Sequence, residues 1–121
     1  MSFNDKSKHS SQMKQSFGEY IRQLRTAKGL TLTQLGAKLG IDSANLSKIE
    51  NGIRGFDEKR LLKLSFVFNL DIENLKTEFF SELFAKKIYE NKCSVETLYL
   101  AEEKLKYLKS KNSKQLKFDT L

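Results

Sequence analysis

The chain has 121 residues, 39% hydrophobic and 31% charged, which suits one small domain with appendages and excludes collagen-like, low-complexity and disulfide-rich classes. No apolar run approaches the ~20 residues needed to span a bilayer, residues 1–14 lack the apolar core of a signal peptide, and the single Cys93 cannot form an internal disulfide or a Cys-rich zinc site; a cytoplasmic protein with no membrane partner is expected. The formal net charge of +7 has the sign that suits a polyanion, but it is spread as +2 over residues 1–14, +2 over 15–78 and +3 over 79–121, so placement of charge must matter more than its amount.

Residues 1–14 (MSFNDKSKHSSQMK) are polar, rich in Ser and Lys, and without periodicity, and read as a flexible N-terminal arm. The absence of proline favours uninterrupted helices in the rest of the chain. A first helix is expected from about Ser16 to Lys28, with Phe17, Tyr20, Ile21 and Leu24 on one face and Gly29 as its stop. A second opens at Thr31, where Thr31 and Gln34 have the spacing of a capping box, and ends two turns later at Gly40. A third is capped by Asp42 and runs to about Glu50, followed by a turn at Asn51-Gly52 in which both residues can take positive φ. A fourth starts at Asp57 and carries Leu61, Leu62, Leu64, Phe66, Val67 and Phe68 to a cap at Asn69. The LSFVF run also suits a buried strand, but its length and N-cap argue for helix. Asp71 caps a fifth helix with Ile72, Leu75, Phe79, Leu83 and Ile88 on one face.

The last amphipathic segment begins at Ser94 and extends to about Ser110. Val95, Leu98, Ala101, Leu105 and Leu108 recur at spacings of 3, 3, 4 and 3, a narrow apolar seam. Lys104, Lys106, Lys109, Lys111, Lys114 and Lys117 make the end of the chain basic and are expected to fray. The division is therefore an arm over 1–14, a helical domain over 15–78, and a helical extension with a basic tail over 79–121.

Residues 32–51 hold the most specific pattern. Two short helices meet through Gly40-Ile41. Gly36 sits inside the first, where glycine costs about 1 kcal/mol relative to alanine, so a small residue is needed where the other helix crosses closely. Gly40 suits a left-handed turn. Leu35, Leu39, Ile41, Leu46 and Ile49 close a core under the turn, leaving Ser43, Ala44, Asn45, Ser47 and Lys48 outside. That outer surface is short, polar and free of bulky apolar groups, as suits a helix that reads a nucleic-acid groove.

The stretch FGEYIRQLRTAKGLTLTQLGAKLGIDSANLSKIENG resembles the phage-repressor (xenobiotic-response-element type) helix-turn-helix family of bacterial regulators, over about residues 16–75. The resemblance implies an all-α, four- or five-helix lambda-repressor-like domain with a C-terminal helical extension, acting on double-stranded DNA, usually as a dimer on a two-fold operator. It places Ser43, Ala44 and Lys48 where base-reading side chains sit. Ser43 is alternatively a first-turn residue without a base contact, and Lys48 alternatively a phosphate contact. Asn45 and Asn51 match positions that commonly bond phosphates, though Asn51 equally suits a turn alone. Ser47 lies on the same outer face, and Arg54 follows the turn within reach of phosphate. Leu32 departs from the family, since a polar residue that touches phosphate is common there; Thr31 or Thr33 can substitute. Phe56 also departs, standing where proline usually precedes the next helix. Arg25 and Glu50 match positions that tend to form an ion pair between the first and third helices. Arg22, Lys28 and Lys38 are weaker, solvent-facing candidates.

The resemblance does not extend well over 79–121. Those helices are expected to form a homodimer, with completion of the monomer's own core as the alternative. Catalysis is not expected: the sole histidine, His9, lies in the arm, Cys93 has no nearby histidine, and no Gly-rich phosphate loop or acidic metal cluster appears, so neither cofactor nor metal is implied. The competing functions on the same fold are an antitoxin-type module whose extra helices bind a protein partner, and a controller of restriction–modification genes.

Overall fold

The computed structural model describes residues 15–120, with side chains described through residue 112. The expected arm over 1–14 lies outside the described residues. Six α-helices succeed one another along the chain: α1 (Phe17–Ala27), α2 (Leu32–Leu39), α3 (Ser43–Glu50), α4 (Leu61–Phe68), α5 (Ile72–Glu90) and α6 (Glu96–Thr120). A 3₁₀ turn (Glu58–Arg60) leads into α4, and no strand occurs among the described residues. The fold is all-α, and LSFVF is helical. The chain divides into two compact units, one ending at Leu83 and the other beginning at Phe84.

Four helices, α1, α2, α3 and α5, begin where a side chain satisfies free backbone N–H groups, while α4 continues from a 3₁₀ turn that Asp57 caps. Ser16 and Glu19 form a capping box at α1, the Glu19 N–H donating to Ser16 Oγ and the Ser16 N–H to Glu19 Oε1, each at 3.1 Å. At α2 the Gln34 N–H donates to Thr31 Oγ1 at 3.0 Å and the Thr31 N–H to Gln34 Oε1 at 2.8 Å. Asp42 accepts the Asn45 N–H at 2.7 Å, and Asp71 accepts the Asn74 N–H at 3.1 Å. Asn69 ends α4 in the left-handed conformation, at φ 52°.

The core contains Phe17 and Ile21 of α1, Leu35 and Leu39 of α2, Leu46 and Ile49 of α3, Leu61 and Leu64 of α4, and Leu75 of α5. Phe56 is also buried, its ring centroid 5.6 Å from that of Phe17. The aromatic ring at this family-atypical position thus adds apolar burial to the loop before α4. Phe79 and Phe80, which the sequence pattern assigns to the extension, pack against the core of the first unit. Phe79 meets Phe17 edge-on at 5.3 Å. Glu82 Oε1 accepts the Phe17 N–H at 2.9 Å, so α5 caps the start of α1. Ile41 is only half-buried at the edge of this core.

Two close approaches set the angles between the short helices. Gly40 adopts φ 73°, which lets the chain reverse from α2 into α3. A Cβ on Gly36 would lie 2.3 Å from the Ile41 carbonyl oxygen. The neighbour that demands a small residue is therefore the turn itself rather than the body of α3. Gly18 makes the equivalent approach from α1: a Cβ there would lie 2.2 Å from the Ile49 carbonyl oxygen, at the C-terminal end of α3.

Three apolar stretches differ from expectation. Within α4, Leu62 and Phe66 are exposed, because a single-sided helix can bury only the face carrying Leu61, Leu64 and Ser65. Leu83, expected on the buried face of α5, is 46% exposed. In the second unit the helix starts at Glu96 after a turn closed by the Thr97 N–H and the Ser94 carbonyl, and continues to Thr120 instead of fraying near Ser110. Its seam residues Val95, Leu98, Leu105 and Leu108 are all at least half exposed.

Because backbone, not a flexible side chain, faces Gly18, Gly18→Ala forces α1 and α3 apart and costs ~1–3 kcal/mol of stability. Gly55→Ala, with nothing within 4 Å and no positive φ, leaves stability within about 0.5 kcal/mol of the parent. Urea denaturation of the two variants checks this; equal midpoints would contradict the close approach.

Candidate nucleic-acid interface

The third helix has two faces of different chemistry. Leu46, Ile49 and Glu50 are buried, while Ser43, Ala44 and Lys48 are exposed and Asn45 and Ser47 half-exposed. Asp42 is exposed at its start, as are Asn51 and Arg54 at its end. Thr31 and Thr33 are exposed at the start of α2. The Thr31 oxygen already accepts the Gln34 N–H, which leaves its O–H as a donor. Gly36 is buried within α2, and Gly40 is the left-handed residue at the turn between α2 and α3.

The buried face is held by charge. Glu50 is 2% exposed yet carries a carboxylate. Arg25 reaches it from α1 as a fork, Nε donating to Oε2 at 2.7 Å and Nη2 to Oε1 at 3.0 Å. Arg25 Nη1 also donates to the Leu30 carbonyl at 2.9 Å, tying the α1–α2 loop to the same centre. The hydrogen bond to Glu50 raises the Arg25 pKa further above its ordinary value, with partial burial opposing it. Arg22 adds a second guanidinium, Nε donating to Glu50 Oε1 at 3.4 Å and Nη2 donating to Asn51 Oδ1. Asn51 in turn donates through Nδ2 to the Ser47 carbonyl at 2.9 Å. The C-terminal end of α3 is thus locked by a single network.

Several residues have partners that local sequence does not reveal. Arg22, expected to face solvent, belongs to the Glu50 network; its i, i+3 spacing from Arg25 is the one sequence signal for this. Lys28, also expected in solvent, donates to the Val67 carbonyl at 2.6 Å and lies 5.6 Å above the Phe68 ring, capping α4. Arg60 donates through Nη1 to the Leu39 carbonyl at 2.9 Å and covers the turn at Gly40. No sequence signal marked Arg60, since its partner lies 21 residues away. Asn51 takes φ −91°, so only Gly52, at φ 76°, supplies a positive φ in that turn. Lys38 remains exposed.

A helix-turn-helix family model matches residues 21–75. Residues 21–75 belong to the phage-repressor-like helix-turn-helix family. Among curated proteins, the domain is 47% identical over 60 residues to the uncharacterized HTH-type transcriptional regulator RghRB of Bacillus subtilis (strain 168), covering 49% of this chain and 43% of that protein. It is 36% identical over 85 residues to the HTH-type transcriptional repressor RghR of the same organism, covering 67% of this chain and 63% of that one. The chain therefore spans less than two thirds of the length of these curated relatives. Among solved structures, the biofilm master regulator SinR in complex with DNA is similar at 32% identity and a TM-score of 0.43, over 48% of this chain and 94% of that one. A SinR–SinI protein complex is similar at 27% identity and a TM-score of 0.42, over 79% of this chain and 97% of that one.

Within the helix-turn-helix domain, the paired arginines and Glu50 fix which side of α3 turns outward. Among the described residues no His, Cys, Asp or Glu group could hold a metal ion, and no helix is long and apolar enough to cross a membrane.

Removing Arg25 leaves a buried carboxylate with only the exposed Arg22 nearby. Arg25→Ala is expected to cost about 3 kcal/mol, and Arg22→Ala, at the half-exposed partner, about 1 kcal/mol or less. Urea denaturation reads both. An unchanged midpoint for Arg25→Ala would remove its structural role.

Proposed function

We propose that the protein is a transcriptional regulator that binds double-stranded DNA sequence-specifically and does no chemistry of its own. The observation that carries this reading is the exposed outer face of α3, on a helix whose opposite face is anchored by Glu50 and the core. An α-helix fits the major groove of B-DNA, and short polar side chains there can reach base edges. In this reading Ser43 exchanges hydrogen bonds with either base of a pair, Ala44 touches a thymine methyl, and Lys48 approaches guanine O6 and N7. Thr31, Thr33, Asn51 and Arg54 flank the helix on the phosphate side, and Ser47 borders the groove. Such contacts fix register without reading sequence.

The second unit is proposed to pair two copies of the chain. Leu98, Leu105 and Leu108 recur along α6 and are 50–54% exposed, a seam that a second copy would cover. A two-fold dimer would set two recognition helices one DNA turn apart, about 34 Å, and would read a palindromic operator. The exposed apolar residues also favour a second reading, in which this unit binds a different protein, as an antitoxin-type module would. Light scattering on the purified protein separates them: a dimer at micromolar concentration is expected, and a monomer at high micromolar concentration would favour the second.

Selection from a random DNA library is expected to return a half-site and its repeat spacing. On that site Lys48→Ala costs ~1–3 kcal/mol and relaxes preference at one base pair. Uniform weakening across all sequences would make Lys48 a phosphate contact, and no enriched sequence at moderate salt would overturn sequence-specific binding.

A further inference from the structure

Arg54 and Asn45 each suit a phosphate contact by sequence, but the structure joins them to each other. Arg54 lies beyond α3 on an exposed loop, and its own N–H is bonded to the Lys48 carbonyl at 3.3 Å. Its guanidinium donates through Nη1 to Asn45 Oδ1 at 3.1 Å. The same Asn45 amide donates through Nδ2 to Asp42 Oδ2 at 2.9 Å, while Asp42 Oδ1 accepts the Asn45 N–H at 2.7 Å. The orientation of that amide is dictated by its neighbours. A carboxylate only accepts and a guanidinium only donates, so the reversed amide would set oxygen against oxygen and N–H against N–H.

We propose that Asp42 and Asn45 are positioning residues that hold the Arg54 guanidinium for a phosphate of the DNA backbone, and that Asn45 acts through Arg54 rather than on the DNA. This rests on the reading that the outer face of α3 meets duplex DNA. A guanidinium carries five N–H donors in a fixed fork, and one of them is committed to Asn45, which leaves a second edge for the bidentate grip that phosphate accepts. The neutral amide also stands between Asp42 and Arg54. It passes on the orienting effect of the carboxylate without a direct ion pair that would occupy the fork.

The Asp42→Asn variant separates this role from capping and from simple charge. Asparagine caps a helix as well as aspartate does, so the Asn45 N–H keeps its acceptor. The new Nδ2 of the variant, however, turns the Asn45 amide around and presents donors to Arg54, which is released. Removing a negative charge beside a polyanion would by itself tighten binding, so the two effects have opposite signs.

The test uses the full chain and a fluorescein-labelled mixed-sequence duplex two helical turns long, titrated over a series of KCl concentrations. Asp42→Asn is expected to bind roughly three- to ten-fold more weakly than the parent. The slope of log K against log salt should fall by about one, as for a lost phosphate contact. In an Arg54→Ala background the same change should bring no further loss, a comparison in which any effect on folding cancels. Equal or tighter binding by the single variant, or an undiminished loss in the Arg54→Ala background, would overturn the positioning role alone. A parent protein that binds no duplex even at low salt would overturn the DNA reading and this inference with it.

Discussion

An ionised carboxylate taken out of water costs several kcal/mol unless it is paired and hydrogen-bonded, and the placement of α3 depends on how Glu50 meets that condition. Arg25 supplies a forked pair from α1, with Nε at 2.7 Å, and Arg22 supplies a weaker second contact at 3.4 Å. Such a pair is directional in a way that leucine packing is not, because its hydrogen bonds hold only at one distance and angle. Ile49 and Leu46 would tolerate small rotations of α3; the fork on Glu50 does not. Gly18 adds a steric limit beside it by allowing the two backbones to touch.

The two ends of α3 are held by different means. At the C-terminal end the charges are largely withdrawn from solvent, and the network runs inward from Asn51 through Arg22 to Glu50. At the N-terminal end Asp42, Asn45 and Arg54 form an exposed chain of hydrogen bonds. Exposed ionic contacts contribute little to stability, so the second chain has a larger effect on where the Arg54 side chain points than on whether the domain folds. Ser43, Ala44 and Lys48 lie between these two anchors on an exposed face of α3 that itself carries no large apolar side chain.

The second unit is organised differently. Its helix is long and regular, yet Leu98, Leu100, Leu105 and Leu108 remain in water to half their area or slightly more. Leaving apolar area exposed forgoes ~25 cal/mol per Å². The proposed pairing of two copies would recover that term by covering Leu98, Leu105 and Leu108.

The helices were legible in the sequence because their signals are local. A capping box at Thr31 and Gln34, an N-cap at Asp42 and a glycine at 40 each act over four residues or fewer, and so can be read from spacing alone. The inward positions of α2 and α3 were legible for the same reason, since one helical period separates Leu35 from Leu39 and nearly one separates Leu46 from Ile49. Tertiary structure decided what depends on separations of twenty residues or more. Arg22 joined Glu50, Lys28 capped α4, Arg60 covered the Leu39 carbonyl, and Phe56 filled the gap beside Phe17. The exposure of Leu62 and Phe66 was decided there too, because a hydrophobic run states only that a helix could be buried, while the geometry of its neighbours fixes which side is. Long polar side chains are the least predictable of all: their partners are chosen by where the fold brings a carbonyl or carboxylate within about 3 Å, and no local pattern encodes that distance.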